Sequence, residues 1–228
     1  MKPSSSQRLS RQGFSLVELI VVISIIVVLF SLVVGGFGYA DRSSKRSRTE
    51  VTMRAIRSGL DLYKEKFGAL PTYESGRAGE STTIGKLDYP VAGGACLYQA
   101  LTGDGFDFIY IASDARPQTA PNSDGQVDQL EAANTILMNM PKELHAKTGT
   151  YHYIVDGFGH PMRYAKARAY DSQGNLINSA ENNHCQPTVN RQGYDLWSVA
   201  DETVSENIKM SSVDGRTQKI DQTWITNW

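Results

Sequence analysis

The chain has 228 residues and a formal net charge of −1, a length typical of one domain or at most two. Its 20 glycines and 8 prolines exclude a collagen-like or wholly disordered chain. The balanced charge gives no indication of a nucleic-acid partner, and two cysteines are too few for a disulfide scaffold. The mean hydropathy of −0.34 is typical of a soluble protein, but it hides an apolar amino-terminal stretch.

The apolar stretch covers residues 14–38 and follows a short basic segment, residues 1–13. Glu18 is the only ionisable side chain between Phe14 and Gly38. As a helix, these residues would be about 37 Å long, enough to cross a hydrocarbon layer of ~30 Å. Residues 14–38 are therefore predicted to form a transmembrane helix.

Three kinds of segment share this pattern. A secretory signal peptide has a shorter apolar region of about 7–15 residues before a small-residue cleavage site, such as Gly38-Tyr39-Ala40. A plain membrane anchor has the right length, but it leaves Glu18 without a partner, and a carboxylate at mid-bilayer costs roughly 2.5 kcal/mol or more. The third kind is a segment whose Glu18 pairs with a cation between packed helices.

The motif Gly13-Phe14-Ser15-Leu16-Val17-Glu18, placed between a basic leader and a long apolar run, resembles the processing site of type IV prepilins and pseudopilins. The resemblance implies that a prepilin peptidase removes leader residues 1–13, cutting between Gly13 and Phe14, and methylates the new amino group of Phe14. Glu18 would then pair with the Phe14 ammonium of a neighbouring copy. Such a pair in a low dielectric favours one axial register between packed helices.

The segment after the apolar run carries a stripe of apolar side chains spaced three and four residues apart. They are Met53, Ile56, Leu60, Tyr63 and Phe67. We therefore predict one helix from Phe14 to about Phe67, in which residues 39–67 are an amphipathic continuation of the membrane segment.

Residues 68–228 are predicted to form a globular head, which makes the fold class α+β. Strands are predicted at 151–155, 161–167 and 194–199 from their Tyr, Val and Trp content, in an antiparallel sheet packed on the second half of the long helix. Cys96-Leu97-Tyr98-Gln99-Ala100-Leu101 is predicted to be a short helix. The Gly-, Ser- and Asp-rich segments 73–94 and 113–134 are predicted to be surface insertions, within an inserted region of about 73–149.

Several stretches of the head resemble the major pseudopilin of type II secretion. They are Gly68-Ala69-Leu70-Pro71-Thr72, residues 156–164, residues 194–198 and Ile225-Thr226-Asn227-Trp228. The resemblance implies a type IV pilin-like fold and a structural role in a periplasmic pseudopilus that drives protein export. Its implied partners are other copies of the chain, minor pseudopilins and the inner-membrane secretion platform.

The same resemblance implies a single-pass protein of the inner membrane with its head in the periplasm. Six basic residues between Arg42 and Arg57 outnumber the three of the leader, and the positive-inside rule alone would place the head in the cytoplasm. We follow the processing motif and expect a periplasmic head.

Residues 120–131 follow most of a calcium-loop template, with Gly125 at the bend. The template assigns oxygen ligands to Asn122, Asp124, Asp128 and Glu131. Ala120 stands where the template needs an aspartate, so an acidic surface turn is the alternative.

The pseudopilin resemblance implies a different calcium site, in the loop before the terminal tryptophan. That loop offers Asp201, Asp214 and Asp221, although Trp224 stands where the family has an aspartate. Calcium is the only cofactor suggested, because carboxylates suit a hard divalent ion.

Cys96 and Cys185 fall in the part predicted to lie outside the inner membrane, where disulfides persist. A bridge between them and two buried thiols are the open alternatives. The four histidines show neither helical spacing nor the context of a known catalytic motif, so we predict no enzymatic activity.

Two other functions fit parts of this pattern. A type IV pilin for adhesion, motility or DNA uptake would share the processing motif, and Cys185 would suit its disulfide-closed loop. A monomeric membrane-tethered binding protein would instead use residues 73–149 as its binding site.

Overall fold

The computed structural model describes residues 15–73, 77, 79–110, 121–137, 140–166, 190, 193–202 and 224–228, apart from the side chains of 34–36. The chain divides into two compact units, Met1–Ser43 and Ser44–Trp228. A long helix followed by small antiparallel sheets gives the α+β layout of a pilin-like fold, as predicted.

Helix α1 (Leu16–Phe67) contains 52 residues, which confirms the predicted long helix from its third residue onward. Its first part is long and apolar enough to cross a membrane. The large apolar side chains from Leu16 to Val33 are each 50–74% exposed, so the described residues of the chain leave this surface uncovered.

The second half of α1 contributes to the core of the head unit. Met53, Ile56 and Leu60 are buried, as the apolar stripe predicts, whereas Phe67 at the end of the helix is 42% exposed. The stripe therefore packs over about two turns, and its last residue lies at the surface.

Helix α2 (Ala92–Thr102) begins four residues before the predicted helix and is almost completely buried. Two glycines near its start allow strands to approach closely. A Cβ atom at Gly93 would lie 2.6 Å from the backbone nitrogen of Tyr164, and one at Gly94 would lie 3.1 Å from the carbonyl oxygen of Ile154. The helix ends at Gly103, whose φ of 81° favours glycine.

The described residues contain seven short strands in three antiparallel sheets. β1 (Ser81–Ile84) pairs with β2 (Leu87–Pro90), and β3 (His145–Thr148) pairs with β4 (Tyr151–Ile154). β5 (Arg163–Lys166), β6 (Tyr194–Ser198) and β7 (Ile225–Thr226) form the third sheet, in that order. Two short 3-10 helices cover Ala132–Asn134 and Lys142–Leu144.

The three predicted strands correspond to β4, β5 and β6, but they do not form one continuous sheet. Within the residues that the structure describes, β4 and β5 meet in a single bridge between Val155 and Pro161. The hydrogen bonds of this bridge run from the N–H of Asp156 to the carbonyl of His160 and from the N–H of Met162 to the carbonyl of Ile154. The main partner of β4 is β3, and that of β5 is β6.

Both segments predicted to be surface insertions, 73–94 and 113–134, contain buried side chains among mostly exposed or half-buried ones. Tyr89 and Val91 are buried, and Tyr89 stacks on His160 with the ring centroids 4.6 Å apart. Ser123 and Glu131 are buried as well, whereas residues 113–120 lie outside the described part of the chain. Both segments therefore contribute to the packed head.

Replacing Leu60, which is fully buried, by alanine tests the role of α1 in the core. We expect Leu60→Ala to lower the free energy of unfolding of the head by about 2–5 kcal/mol, because it leaves a cavity. Thermal unfolding of the full chain in detergent, followed by near-ultraviolet circular dichroism, measures the change.

Leu62→Ala is the matched control, since Leu62 lies on the same helix and is 47% exposed. This change alters helix propensity equally and should shift stability by less than about 0.5 kcal/mol. Equal losses in the two variants would show that α1 does not pack as described.

Candidate processing and assembly site

Glu18 lies at the amino end of α1 and caps the helix. It is the third residue of α1, and its Oε2 accepts a hydrogen bond of 2.9 Å from the backbone N–H of Ser15. This is one half of a capping box, and a carboxylate in a first turn is favoured by the helix dipole. Gly13 and Phe14 lie outside the described residues, so their cleavage and methylation remain predictions.

The serine hydroxyls of the apolar segment that follows Glu18 form hydrogen bonds within the helix. The hydroxyl of Ser24 donates to the carbonyl of Ile20, and that of Ser31 donates to the carbonyl of Val27, each at 2.8 Å. Such bonds leave no hydroxyl hydrogen unpaired in a lipid-like environment. Glu18 is therefore the single charged side chain on an otherwise apolar segment.

Comparison with protein families gives a match at this end of the chain. Residues 8–34 match the family described as the prokaryotic N-terminal methylation motif. The chain carries a type IV pilin-like signal. The signal is shared by pilins and pseudopilins and indicates a membrane-anchored protein that a prepilin peptidase processes and that assembles with other pilin-like subunits. Neither the curated proteins nor the solved structures give a match to the chain.

The predicted calcium loop uses its carboxylates to hold its own backbone. Asp128 Oδ1 accepts hydrogen bonds from the N–H groups of Leu130 and Glu131, at 2.8 and 3.1 Å. Asp124 Oδ1 accepts from the N–H of Gln126 at 2.7 Å. These contacts are typical of side chains that close turns.

Glu131 completes a reciprocal cap on the turn that immediately precedes the short 3-10 helix Ala132–Asn134. Its Oε2 accepts from the N–H of Asp128 at 3.0 Å, and its Oε1 accepts from the N–H of Gly105 at 2.8 Å. The side chain is buried, and this burial raises the pKa of Glu131 while the two backbone donors oppose the rise. Asp128 and Glu131 thus form an Asp-x-x-Glu analogue of the capping box.

The predicted calcium ligands of this loop thus contact other protein groups, and calcium binding there stays a prediction. Asn122 donates its amide to the hydroxyl of Thr150 at 3.2 Å. Within the described ranges, no three His, Cys, Asp or Glu side chains are grouped to hold a metal ion, and Asp124, Asp128 and Glu131 are no exception. The sequence fits the template, but carboxylate oxygens of Asp124, Asp128 and Glu131 accept hydrogen bonds from backbone N–H groups.

The other predicted site residues are only partly covered by the structure. Asp201 lies on the exposed end of the segment that follows β6, whereas Asp214 and Asp221 lie outside the described residues. Cys96 is fully buried on α2, and Cys185 also lies outside the described part. Both calcium sites and the disulfide remain predictions.

Asp156 organises the turn between β4 and β5. Its Oδ1 accepts from the N–H groups of Phe158 and His160, at 2.8 and 2.9 Å, and Ser198 donates its hydroxyl to Oδ2. Burial raises the pKa of Asp156, and these donors oppose the rise. Gly157 is required in this turn, because a Cβ atom there would lie 2.2 Å from the carbonyl oxygen of Lys45.

A cavity of about 480 Å³ lies between α2 and the β3–β4 hairpin, and sequence reasoning missed it. The rings of Tyr98, His145 and His152 line it, with centroids 5.1–5.3 Å apart in each pair. Burial lowers the pKa of His145, and the nearby His152 lowers it further. The sequence gives only a partial signal, because two residues on either side of a turn at Gly149 share one face of a strand pair only in a suitable register.

Glu131→Gln tests whether the acidic loop is held by its cap or by a metal ion. Glutamine offers one acceptor oxygen where two N–H groups need one each, so we expect a loss of about 1–3 kcal/mol in the free energy of unfolding. The loss should be equal in calcium chloride and in a chelator, measured by thermal unfolding. A loss confined to the calcium-containing sample would show that Glu131 acts as a calcium ligand.

Proposed function

We propose that the chain is a structural subunit of a membrane-anchored filament, most like the major pseudopilin of type II secretion. The observation that carries the proposal is an apolar helix surface with a single carboxylate at its amino end, within residues that match the methylation motif. Between Leu16 and Val33 every large apolar side chain is at least half exposed. Such a surface requires lipid, other helices or both.

Processing would create the cation that Glu18 needs. Cleavage between Gly13 and Phe14 leaves an ammonium group on Phe14, immediately before the cap at Ser15. An isolated charge in a low dielectric is costly, and a matched pair is much less so. When the helices of two copies pack, the Phe14 ammonium of one would neutralise the Glu18 of the other at one axial register.

The filament would act mechanically and not through a reaction in the head. Subunits leave the inner membrane as they join the base of a pseudopilus, which lengthens and pushes exported proteins through the periplasm. The prepilin peptidase, minor pseudopilins and the secretion platform of the inner membrane are the expected partners.

The carboxyl terminus supports the secretion branch over the pilus branch. The Asn227 side chain accepts from the N–H of Leu196 at 2.8 Å and donates to the carbonyl of Tyr194 at 3.1 Å. Trp228 packs beside Trp197 with ring centroids 6.1 Å apart. The terminal Ile-x-Asn-Trp motif, by which the chain resembles major pseudopilins, is therefore part of the packing of the head.

Glu18→Ala separates processing from assembly. The leader and the residues at the cut are unchanged, so we expect normal processing. The unpaired ammonium should cost about 3–5 kcal/mol at each contact, which weakens association more than about 100-fold. Chemical crosslinking in membranes, followed by separation by size, should show a ladder for the wild type and a monomer for Glu18→Ala.

Glu50→Ala is the matched control, because Glu50 is an exposed glutamate of the same helix, 3.6 Å from Arg54. It should give a normal ladder. A normal ladder for Glu18→Ala would refute the pairing, and a monomer for the wild type would favour a tethered binding protein over a filament.

A further inference from the structure

The β3–β4 hairpin brings two histidines to one face. In its register His145 lies opposite Ile154, and Lys147 lies opposite His152, so the two histidines are diagonal neighbours. Their ring centroids are 5.1 Å apart, and the ring planes meet at 74°. Both rings line the cavity beside α2.

The hydrogen bonding of His152 fixes its tautomer. Its Nδ1 lies 3.2 Å from the carbonyl oxygen of Ser123, and a carbonyl can only accept, so Nδ1 carries the proton. In the neutral ring, Nε2 then holds a lone pair. A backbone carbonyl that holds the opposite nitrogen is the usual support of a metal-binding imidazole.

The backbone beside His152 leaves this ring edge accessible. Gly125 has no side chain at the position where a Cβ atom would lie 3.2 Å from Cε1 and 3.7 Å from Nε2 of His152. A larger residue would therefore cover the nitrogen that holds the lone pair.

His145 provides a second nitrogen that needs a partner. Its Nδ1 is buried and makes no hydrogen bond to any of the residues that the structure describes. A buried polar atom without a partner is costly in a folded protein. A metal ion bound directly to this nitrogen would remove this cost.

We propose that His145 and His152 form a binding site for a divalent transition-metal ion such as zinc. On a tetrahedral ion with Zn–N distances of about 2.0–2.1 Å, two imidazole rings have their centres roughly 5 Å apart, which matches the observed separation. Neutral imidazoles prefer zinc, copper and nickel to calcium. Water would complete the coordination.

Asp104 gives the site a negative charge without acting as a ligand. The carboxylate is 1% exposed, and it accepts hydrogen bonds from Tyr98 and from the N–H groups of Asp124 and Gly125. Its charge favours a cation in the cavity.

Lys142 and Lys147, which also line the cavity, are exposed, and an anion held by these lysines is the competing occupant. The proposal is independent of the filament role.

Calorimetric titration of the untagged full chain in detergent with zinc chloride tests the site. We expect one bound zinc, and His145→Phe should weaken binding at least as much as the roughly 10–100-fold that loss of an outer-shell partner costs. This change keeps a ring against Tyr98. His152→Asn, which keeps a donor for the Ser123 carbonyl, should give the same loss.

Lys147→Gln is the control on the same hairpin, and zinc should bind it as it binds the wild type. Absence of binding to the wild type, unchanged affinity in a folded histidine variant, or an equal loss in Lys147→Gln would overturn the proposal. If neither histidine variant folds, the NMR signals of the histidine rings in the wild type, recorded with and without zinc, test the proposal instead. Zinc must then shift the signals of two histidines, and a spectrum in which none moves contradicts the site.

Discussion

One carboxylate on an apolar helix is the constraint on which the rest of this molecule depends. Glu18 is the sole charge among residues 14–38, and in a single chain it can cap the helix through Ser15. The side chains that follow it, from Leu16 to Val33, are uncovered. A helix of this kind is stable in a membrane or among copies of itself, and a charge there needs a partner of opposite sign. The length of the apolar segment, the exposure of its side chains and the charge of Glu18 thus all favour assembly through this helix.

In the head, unlike in the apolar helix, buried carboxylates hold loops in place through hydrogen bonds. Asp104, Glu131 and Asp156 each accept at least two hydrogen bonds from backbone or hydroxyl donors. These side-chain hydrogen bonds fix loops that the short strands do not hold through long backbone hydrogen-bond ladders. Asp104, Glu131 and Asp156 are therefore structural groups of the packed head.

The sequence predicts those parts of the fold that depend on local pattern. Long α1 follows from apolar length and a stripe ending at Phe67, and β4 and β6 follow from their Tyr, Ile and Trp content. The β1–β2 hairpin was missed, because Gly- and Ser-rich surroundings hide the buried Tyr89. The calcium template is a one-dimensional pattern, and it does not reveal that Asp128 and Glu131 cap each other. The pairing of His145 with His152 depends on strand register, which spacing alone does not determine.

The mass of the amino-terminal peptide of the mature protein tests the central claim most directly. Protein purified from membranes should begin at Phe14 and carry one added methyl group, because only cleavage at Gly13 creates the amine that Glu18 requires. A peptide that begins at Met1 would contradict the account, since no new amine would then lie beside the carboxylate. A peptide that begins at Asp41 would contradict it too, because the apolar helix would have been removed.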